Sequence, residues 1–412
     1  MNVTMKPKSL SFLFVSRDLF PPFRVDVAVL FGKEMINRGH TVDWVLQSEA
    51  DCQKAYKTSW TGGEVWVGPT NNGPKLVNRA HKHLRRFVHT IRNSTLVRRR
   101  TYNIVLAKDS FFSALIYLVR AKLRGVKFIY WLSYPEAEAS FYVYKEGMAR
   151  YPLVYLIRGV LYKFLLYKLL LPHADHIFVQ SEQMRQDIKA EGIAEHKMTA
   201  IAMGVDPELL EFDKSCERSS ASSGPPVLVY LGTLIRLRRI DFIIRVLAYV
   251  LKEAPDARLY LVGGADAEQD IELLRQEARE LGILDAVIFT GFLDRRKAFE
   301  IVKTADVCLS PFYPTPILNS TSPTKLVEYM ALGKAVVAND HPEQKSILRE
   351  SGGGLCVPFR EPEFAAAIIY LLKNPDVRAA MGEKAKSWIH AHRVYEIIAG
   401  KVENACYNCL MN

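Results

Sequence analysis

Short apolar runs alternate along the chain with stretches in which apolar residues recur at helical spacing. In the second half, four helical patterns separate five apolar runs: VLVYLG, ARLYLVGG, AVIFTGF, VCLSPF and AVVAN. The first half follows the same order less regularly, with strands expected at SFLFVS, 104–107, 128–132 and 176–180. Strands rich in Val, Ile and Leu that alternate with helices are typical of parallel sheets covered on both faces. We therefore predict an α/β protein of two doubly wound, Rossmann-like domains facing each other across a cleft, with ligand sites beyond the carboxyl ends of the strands.

A polar segment separates the two halves. Residues 213–226, DKSCERSSASSGPP, are rich in Ser, Gly and Pro, a composition typical of linkers. We expect one domain over 1–212 and a second over 227–385. Residues 386–412 are expected to form a C-terminal helix, and its return to the first domain is left open.

The composition is that of an ordinary globular protein. Of 412 residues, 49% are hydrophobic and 24% charged, which excludes disordered, collagen-like and coiled-coil classes. Six cysteines with a single C-x-x-C pair, Cys406 and Cys409, indicate neither a disulfide scaffold nor a zinc site. No secretory signal and no long uncharged apolar stretch is visible. We expect a cytoplasmic protein without a bound metal.

The net charge of +11 is concentrated in the first half. Residues 75–168 contain 19 Lys and Arg but four acids, which indicates an anionic partner. No helix-turn-helix, zinc-finger or RNA-recognition pattern is present, so we expect no nucleic acid.

Residues 75–92 form a basic amphipathic pattern. Its apolar side comprises Val77, Ala80, Leu84, Phe87, Val88 and Ile91, and its cations are Lys75, Arg79, Lys82, Arg85, Arg86 and Arg92. Two interpretations stay open. The helix lies on an anionic membrane surface, or it packs its apolar side on its own core and leaves its charges in water.

A second apolar segment covers 151–171. Its cations Arg158, Lys163 and Lys168 are five residues apart and point in different directions around a helix, which argues against a membrane span. We expect a core helix whose cations reach outward to solvent. Interfacial insertion through its tyrosines is the alternative.

The segment STSPTKLVEYMALGKAVVA, 320–338, carries the most specific pattern. Ser322 is a good N-cap and Pro323 a good first helical residue. The N–H groups of Thr324 and Lys325 would then be free at the positive end of the helix, which suits a diphosphate. Glu328, further along the helix, could accept two hydrogen bonds from a ribose diol. A capped surface helix with an ordinary Glu is the alternative.

A glycine turn follows the first strand of the second half. Gly232 and Thr233 end that strand, and Arg236, Arg238 and Arg239 come directly after them. Glycine lets a ligand approach the backbone, and Arg offers planar donors to phosphate oxygens. A solvated charge run is the alternative.

Together these segments resemble the donor-binding domain of family 4 glycosyltransferases, which have the GT-B fold. The similar segments come in the family's order: YLGTL (230–234), LYLVGG (259–264), FTGFL (289–293), ADVCLSPF (305–312), SPTKLVEYMALGKAVVA (322–338) and GGGLCVP (352–358). The first half resembles the family more weakly, at 38–42, 180–182 and 203–206.

The resemblance implies a nucleotide-sugar donor, a UDP- or GDP-sugar, held by the second domain. It assigns the ribose to Glu328, the diphosphate to Thr324 and Lys325, the departing diphosphate to Arg238, and the base to Phe292 and Leu293. Arg238, Lys325 and Glu328 form the expected catalytic set. The remaining donor-binding candidates are Gly232, Thr233, Arg236, Asn319, Ser320, Ser322 and Leu326. Similar enzymes retain the sugar's configuration and usually need no metal or other cofactor.

Three departures from the family concern the sugar and the acceptor. Ser320 stands where the family often has a second Glu, so Asn319, Ser320 or backbone would contact the sugar. The family's Gly-Gly pair is replaced by Pro-Phe-Arg-Val-Asp at 22–26, and no His follows the strand at 128–132. Arg24, Ser133 and Glu136 are the candidates on the acceptor side, with Arg24 either reaching donor phosphates across the cleft or serving as a plain loop residue.

We therefore expect a glycosyltransferase acting on a glycan or lipid-linked acceptor in cell-surface polysaccharide or glycolipid assembly, at the cytoplasmic face of a membrane. Two alternatives stay open. A nucleotide-sugar epimerase of the same fold would use carboxyl groups such as Asp18, Asp109 and Glu136. A non-catalytic nucleotide-sugar-binding subunit would explain the missing family residues.

Overall fold

The computed structural model describes residues 9–48, 52, 54–70, 76–215, 224–265 and 267–411, with side chains outside 76–82 and 213–215. The chain divides into two compact units. The first contains the chain up to Ala202 together with the segment from Tyr395 onward, and the second is Met203–Val394. Each contains a mainly parallel sheet between helices, as the alternating pattern predicts.

The first unit is built on an eight-stranded sheet in the order β3-β4-β2-β1-β5-β6-β7-β8. All its neighbouring strands are parallel except β3 and β4, which form a hairpin. The apolar runs predicted from the sequence form the central strands. The strands are β1 (Ser11–Phe20), β2 (Thr41–Ser48), β3 (Tyr56–Trp60), β4 (Gly63–Gly68), β5 (Ile104–Lys108), β6 (Lys127–Leu132), β7 (His176–Val179) and β8 (Met198–Ala200).

The helices of this unit cover both faces of its sheet, which produces two apolar clusters. Those that precede the second unit in the chain are α1 (Val25–Ala28), α2 (Met35–Asn37), α3 (Leu76–Ser94), α4 (Phe111–Arg124), α5 (Glu136–Lys145), α6 (Pro152–Phe164), α7 (Leu171–His173) and α8 (Glu182–Ala190). Wider helical turns at Leu30–Glu34 and Leu165–Leu170 join α1 to α2 and α6 to α7.

The second unit has a six-stranded, fully parallel sheet in the order β11-β10-β9-β12-β13-β14. Its strands are β9 (Val227–Leu231), β10 (Arg258–Val262), β11 (Val287–Gly291), β12 (Val307–Ser310), β13 (Val336–Asn339) and β14 (Gly354–Val357). Its helices are α9 (Pro207–Ser215), α10 (Asp241–Val250), α11 (Glu268–Glu280), α12 (Arg295–Thr304), α13 (Pro316–Asn319), α14 (Thr324–Ala331), α15 (Pro342–Ser351), α16 (Glu361–Lys373) and α17 (Pro375–His392).

The chain crosses from the first unit to the second after Ala202 and returns after Val394, and both crossings differ from the boundaries expected from the sequence. α9 belongs to the second unit because Leu209 is buried among side chains such as Val229 and Val302, so the first unit ends at Ala202 rather than at 212. Residues 216–223 of the expected linker lie outside the described residues. The expected C-terminal helix is two helices. α17 ends at His392, and α18 (Tyr395–Met411) packs on Phe12 and Phe14 of the first unit.

Two helices of the first unit expose apolar residues that were expected inside. The core-helix expectation for 151–171 is wrong for α6, because Leu153, Ile157 and Phe164 are exposed, while Leu166 and Leu170 beyond it are buried. In α3, the apolar Leu84, Phe87, Val88 and Ile91 are also exposed, which contradicts packing of that side on the unit's own core. The side chains of the earlier part of its predicted faces lie outside the described residues.

Candidate functional site

Glycines dominate the carboxyl edge of the second sheet, where β9, β10 and β11 end side by side. Gly232 N–H donates to the Val262 carbonyl at 2.9 Å, and Leu234 N–H donates to the Gly264 carbonyl at 2.8 Å. Gly263 has a φ of +134°, and a Cβ there would lie 2.1 Å from the Gly232 carbonyl oxygen. The turns after β9 and β10 are therefore joined by backbone hydrogen bonds. Because their glycines have no side chains, a ligand can approach the backbone closely at this edge.

The predicted base-binding residues lie at this same edge. Phe292 follows β11 and is 69% exposed, and a Cβ on Gly264 would lie 2.7 Å from its ring. Leu293 next to it is also exposed. The structure thus places the Phe292 ring beside the glycine turn at Gly264, with Leu293 next in the chain.

The arginines after β9 differ in their surroundings. Arg238 is half-buried and hydrogen-bonded to the Tyr230 hydroxyl, which donates to the Thr233 carbonyl at 3.3 Å. Burial raises the pKa of Tyr230, and the Arg238 guanidinium opposes that shift. Arg236 is exposed. The Arg239 guanidinium pairs with Asp241 at 3.0 Å. Arg238 is therefore held at the glycine turn, whereas Arg239 is directed to Asp241 at the start of α10.

Ser322 does not cap α14, so that prediction is wrong. Pro323, with φ −81° and ψ 80°, precedes the helix, which begins at Thr324 without a side-chain cap. The Ser322 hydroxyl accepts from Met203 N–H and donates to Glu343 Oε1, both at 2.9 Å. These partners are distant in sequence, and they tie the start of α14 to other parts of the second unit.

Within the part of the chain that the structure describes, the free N–H groups at the start of α14 belong to Lys325 and Leu326, one residue later than the predicted Thr324 and Lys325. Thr324 N–H donates to the Ser322 carbonyl at 3.0 Å, so it is not free. Among the described residues, no backbone acceptor is found for the N–H groups of Lys325 and Leu326. These two donors, at the positive end of the helix dipole, are suited to an anionic oxygen.

Glu328 lies one turn into α14 and is 5% exposed. The Lys325 ammonium is 3.2 Å from its Oε2, and Arg295 Nη2 is 3.9 Å from its Oε1. Arg295 also pairs with Asp206 at 2.8 Å. The carboxylate is therefore held in place by cations on two elements, with lone pairs left to accept further hydrogen bonds.

The tyrosine of α14 connects this helix to the glycine edge. Tyr329 Oη accepts from Leu231 N–H at 2.6 Å, at the end of β9. This hydrogen bond thus connects the helix that carries Lys325 and Glu328 to the strand that ends at the glycine turn.

Ser320, at the position where the family often has a second Glu, and its neighbour Asn319 differ in how accessible their side chains are. Ser320 is buried, and its hydroxyl donates to the Pro316 carbonyl at 3.0 Å. Asn319, at the end of α13, is half-buried. Of the two, Asn319 has the more accessible side chain.

The first unit has a separate polar cluster at the carboxyl ends of β5 and β6. Arg24 donates to Asp26 through Nε and Nη2, at 3.2 and 2.9 Å, and to the Ser133 hydroxyl at 3.2 Å. The buried Lys108 ammonium lies 2.7 Å from Asp26 and 4.6 Å from the centre of the Trp131 ring. Asp109 accepts from Ser133 N–H at 2.7 Å and from its hydroxyl. Two of the three acceptor-side candidates, Arg24 and Ser133, thus lie in one network.

The carboxyl groups of this cluster have opposite tendencies. Burial by itself would raise the pKa of Asp26, but the charges of Lys108 and Arg24 outweigh it and hold this pKa at about 2. Burial raises the pKa of Asp109, against the effect of the same two cations. Burial also raises the pKa of Glu136, and the charge of Asp109 adds to the shift. Asp26 is therefore a fixed anion, while Asp109 and Glu136 are more easily protonated than ordinary carboxylates.

Sequence reasoning missed Lys108, Asp26 and Arg295. A charge at the end of the otherwise apolar strand IVLAK was the available signal for Lys108. Arg295 has no local signal, because it reaches Glu328 only through the packing of α12 beside α14. Among the described residues, no group of three or more His, Cys, Asp or Glu side chains is arranged to hold a metal ion.

Comparison with known proteins covers nearly the whole chain. The family model for "Glycosyl transferases group 1" matches residues 212–388, and that for "Glycosyltransferase Family 4" matches residues 26–209. The uncharacterized glycosyltransferase MJ1069 of Methanocaldococcus jannaschii is 26% identical over 293 residues, 70% of each chain. The phosphatidyl-myo-inositol mannosyltransferase of Mycolicibacterium smegmatis is 30% identical over 158 residues, only 35% of this chain and 38% of that one.

Solved structures share the fold at low identity. Sucrose-phosphate synthase from Thermosynechococcus elongatus matches with a TM-score of 0.70 at 17% identity, covering 98% of this chain and 99% of that one. Anabaena HepE in complex with UDP matches with a TM-score of 0.65 at 15% identity, covering 97% and 100%. With the two family models and the named relatives, these matches show that the chain is an enzyme, a transferase, and belongs to the family 4 glycosyltransferases of the GT-B fold.

Proposed function

We propose that this glycosyltransferase takes its sugar from a UDP- or GDP-sugar and transfers it, with retention of configuration, to an acceptor hydroxyl. The observation that carries the proposal is the start of α14. There the buried Glu328 carboxylate lies beside Lys325 and the N–H groups of Lys325 and Leu326. The carboxylate suits the two hydroxyl donors of a ribose diol, and the adjacent cation and N–H groups suit a diphosphate.

Each part of the donor then has a partner in the second unit. Glu328 accepts from the ribose hydroxyls, Lys325 and the α14 N–H groups bind the diphosphate, and Phe292 with Leu293 contacts the base. Arg238, fixed by Tyr230, stabilises the negative charge that develops on the leaving diphosphate. Catalysis rests on orientation and on these preorganised charges. HepE has been solved with UDP and with UDP-glucose, and this supports a nucleotide-sugar donor here.

For the acceptor, we propose a glycan or a lipid-linked intermediate of cell-surface polysaccharide or glycolipid assembly. The relative named phosphatidyl-myo-inositol mannosyltransferase supports a lipid-linked acceptor, and the outward apolar side of α3 supports work at an anionic membrane surface on the cytoplasmic side. The cluster of Arg24, Ser133 and Asp109, with Glu136 nearby, offers hydrogen-bond partners to an acceptor hydroxyl.

Donor and role of Glu328 are tested together. The chain is incubated with UDP- and GDP-sugars and lipid-linked acceptors, and release of nucleoside diphosphate is measured. We expect Glu328→Ala to raise the donor KM about 10- to 100-fold, because hydrogen bonds to a charged group contribute about 1.5–3 kcal/mol. Glu300→Gln, an exposed carboxylate change on α12, is the control and should behave as the parent. Equal donor KM values for Glu328→Ala and the parent would remove the ribose assignment.

The epimerase alternative has one supporting observation, the raised pKa values of Asp109 and Glu136. Family membership favours transfer instead. Product analysis without acceptor separates the two activities, since an epimerase converts the nucleotide-sugar alone whereas a transferase leaves its sugar configuration unchanged.

A further inference from the structure

The outward side of α6 is a continuous apolar stripe. Its exposed side chains are Leu153, Val154, Ile157, Val160, Leu161 and Phe164, with Leu153 at 69% and Ile157 at 66% exposure. Positions three and four apart lie on one helix face, so these side chains share one side of α6. The polar partners of this helix lie elsewhere, because Arg158 donates to Ser140 and Lys163 pairs with Glu191.

Two neighbouring helices extend the apolar surface. The rings of Phe111 and Phe112 on α4 lie 4.9 and 6.3 Å from the Tyr162 ring of α6, and α4 exposes Phe112, Val119 and Leu123. α3 lies against α4, where the hydroxyls of Thr90 and Ser113 are 3.2 Å apart.

The orientation of α3 is the reverse of that of an ordinary surface helix. Leu84, Phe87, Val88 and Ile91 are exposed, with Phe87 at 55%, while polar side chains such as His89 and Asn93 are buried. A helix that packs only on its own unit directs its apolar side inward. The apolar side of α3 is therefore available to an external partner, as exposed apolar patches at interaction sites are.

The charged residues near these three helices favour an anionic partner. Exposed cations lie next to these helices along the chain: Arg98, Arg99 and Arg100 follow α3, Arg124 ends α4, and Arg150 and Lys168 lie on either side of α6. Lys122, also at the end of α4, pairs with Asp175 at 2.8 Å. Within the described stretch 83–170, Glu146 is the only exposed carboxylate. A second copy would bring like charges together, whereas an anionic lipid surface complements them.

We propose that α3, α4 and α6 together form one docking surface for an anionic phospholipid bilayer. The apolar side chains insert into the interfacial layer, and the surrounding cations contact lipid phosphates. Tyr151, exposed beside Arg150, suits the boundary between headgroups and chains. Among the described residues, no helix has the length and hydropathy to cross a bilayer. The inference extends the proposed function by assigning the membrane contact to three helices, with α6 as the main inserting element.

The test is binding of the full chain to sedimented vesicles. Vesicles of phosphatidylcholine alone are compared with vesicles that also contain phosphatidylglycerol, at low and high salt. We expect binding to the mixed vesicles that weakens with salt. The double variant Leu153→Asp with Ile157→Asp should bind at least about tenfold more weakly, since it removes inserted apolar groups. Leu273→Asp, an exposed leucine on α11 of the second unit, is the matched control and should bind as the parent.

A second variant tests the charges separately. Arg99→Glu with Arg100→Glu should lose the preference for phosphatidylglycerol, while circular dichroism confirms that each variant is folded. No binding of the parent to either vesicle, or unchanged binding of the α6 variant, overturns the inference. A dimer in light scattering that the α6 variant converts to monomer assigns the surface to a second copy instead.

Vesicle binding needs no donor turnover, so its outcome is separate from that of the proposed function. A chain that binds vesicles but releases no nucleoside diphosphate contradicts the proposed function alone. A chain that turns over its donor but ignores both vesicles contradicts the docking surface alone.

Discussion

Lys108 illustrates how single charged side chains shape the first unit. Its ammonium is buried at the end of β5 and pairs with Asp26, which also holds Arg24. Without Lys108, the buried Asp26 carboxylate keeps only Arg24 as a countercharge, so Lys108→Met should destabilise the first unit by about 2–4 kcal/mol. Tryptophan fluorescence during urea unfolding measures this, because four of the five tryptophans, Trp44, Trp60, Trp66 and Trp131, lie in that unit, whereas Trp388 lies in the second.

The same pair predicts a pH dependence. The pKa of Asp26 is lowered to about 2, so its stabilising effect is complete above its unfolded value of about 4 and is lost as the pH falls towards 2. In Lys108→Met the pKa of Asp26 should rise towards its unfolded value, so the loss on acidification should be smaller and should end at a higher pH. Asp26→Asn, which removes the titrating group, is the control and should flatten the stability profile in this range. Identical profiles for Lys108→Met and the parent would contradict the pairing.

Lys325 should discriminate between parts of the donor. Its ammonium is suited to the diphosphate, so Lys325→Met should weaken UDP binding about tenfold and uridine binding little. Calorimetry with both ligands measures the difference. Lys297→Met, an exposed cation on α12, is the control. Equal weakening of UDP and uridine would assign Lys325 to positioning Glu328 alone.

Ser322 shows what local sequence cannot reveal about a residue. Its place before Pro323 predicts a cap, but its hydroxyl binds Met203 N–H and Glu343, partners that only the folded unit brings near. Glu328, Lys325 and Leu326 were predictable because their spacing along one helix places them together. Arg295 was not, since it meets Glu328 from another helix.

The turn after β10 has room only for glycine at position 263. A side chain at Gly263 would require φ near +134° and would place its Cβ 2.1 Å from the Gly232 carbonyl oxygen. Gly263→Ala should therefore separate the turns of β9 and β10 and abolish detectable UDP binding. Gly282→Ala is the matched control, since its φ is also positive, at +69°, but nothing lies within 4 Å of its Cβ. It should cost about 1 kcal/mol of stability and leave UDP binding unchanged. UDP affinities from calorimetry decide this, and equal affinities for the two variants would contradict the close approach.

Helices and strands were largely predictable, but which way a helix faces was not. The alternating pattern correctly predicts the central strands and helices such as α10, α12 and α14 within a few residues. Amphipathicity shows only that a helix has an apolar side. For α3 and α6 the apolar side is exposed. Which side of a helix is covered depends on the strands and helices packed against it, and the spacing of its apolar residues does not reveal this.

The chain passes between its two units twice. It leaves the first unit after Ala202 and returns at Tyr395, so the first unit is complete only when α18 has folded onto it. The linker composition predicted a crossing at 213–226, which lies inside the second unit, after the crossing at Ala202. The return has no compositional signal, since α17 and α18 are separated by two residues.

This return predicts that the end of the chain stabilises its beginning. Val402 on α18 is buried among Phe12, Phe14 and their neighbours, so Val402→Asp places a carboxylate in an apolar cluster and should destabilise the first unit by about 3 kcal/mol or more. Ile397→Asp is the matched control on the same helix, because Ile397 is exposed. Urea unfolding followed by tryptophan fluorescence measures the loss, and calorimetry shows whether the second unit still binds UDP. Unfolding of Val402→Asp at the parent's urea concentration would place α18 outside the core of the first unit, and loss of UDP binding without a change in fluorescence would assign its effect to the second unit.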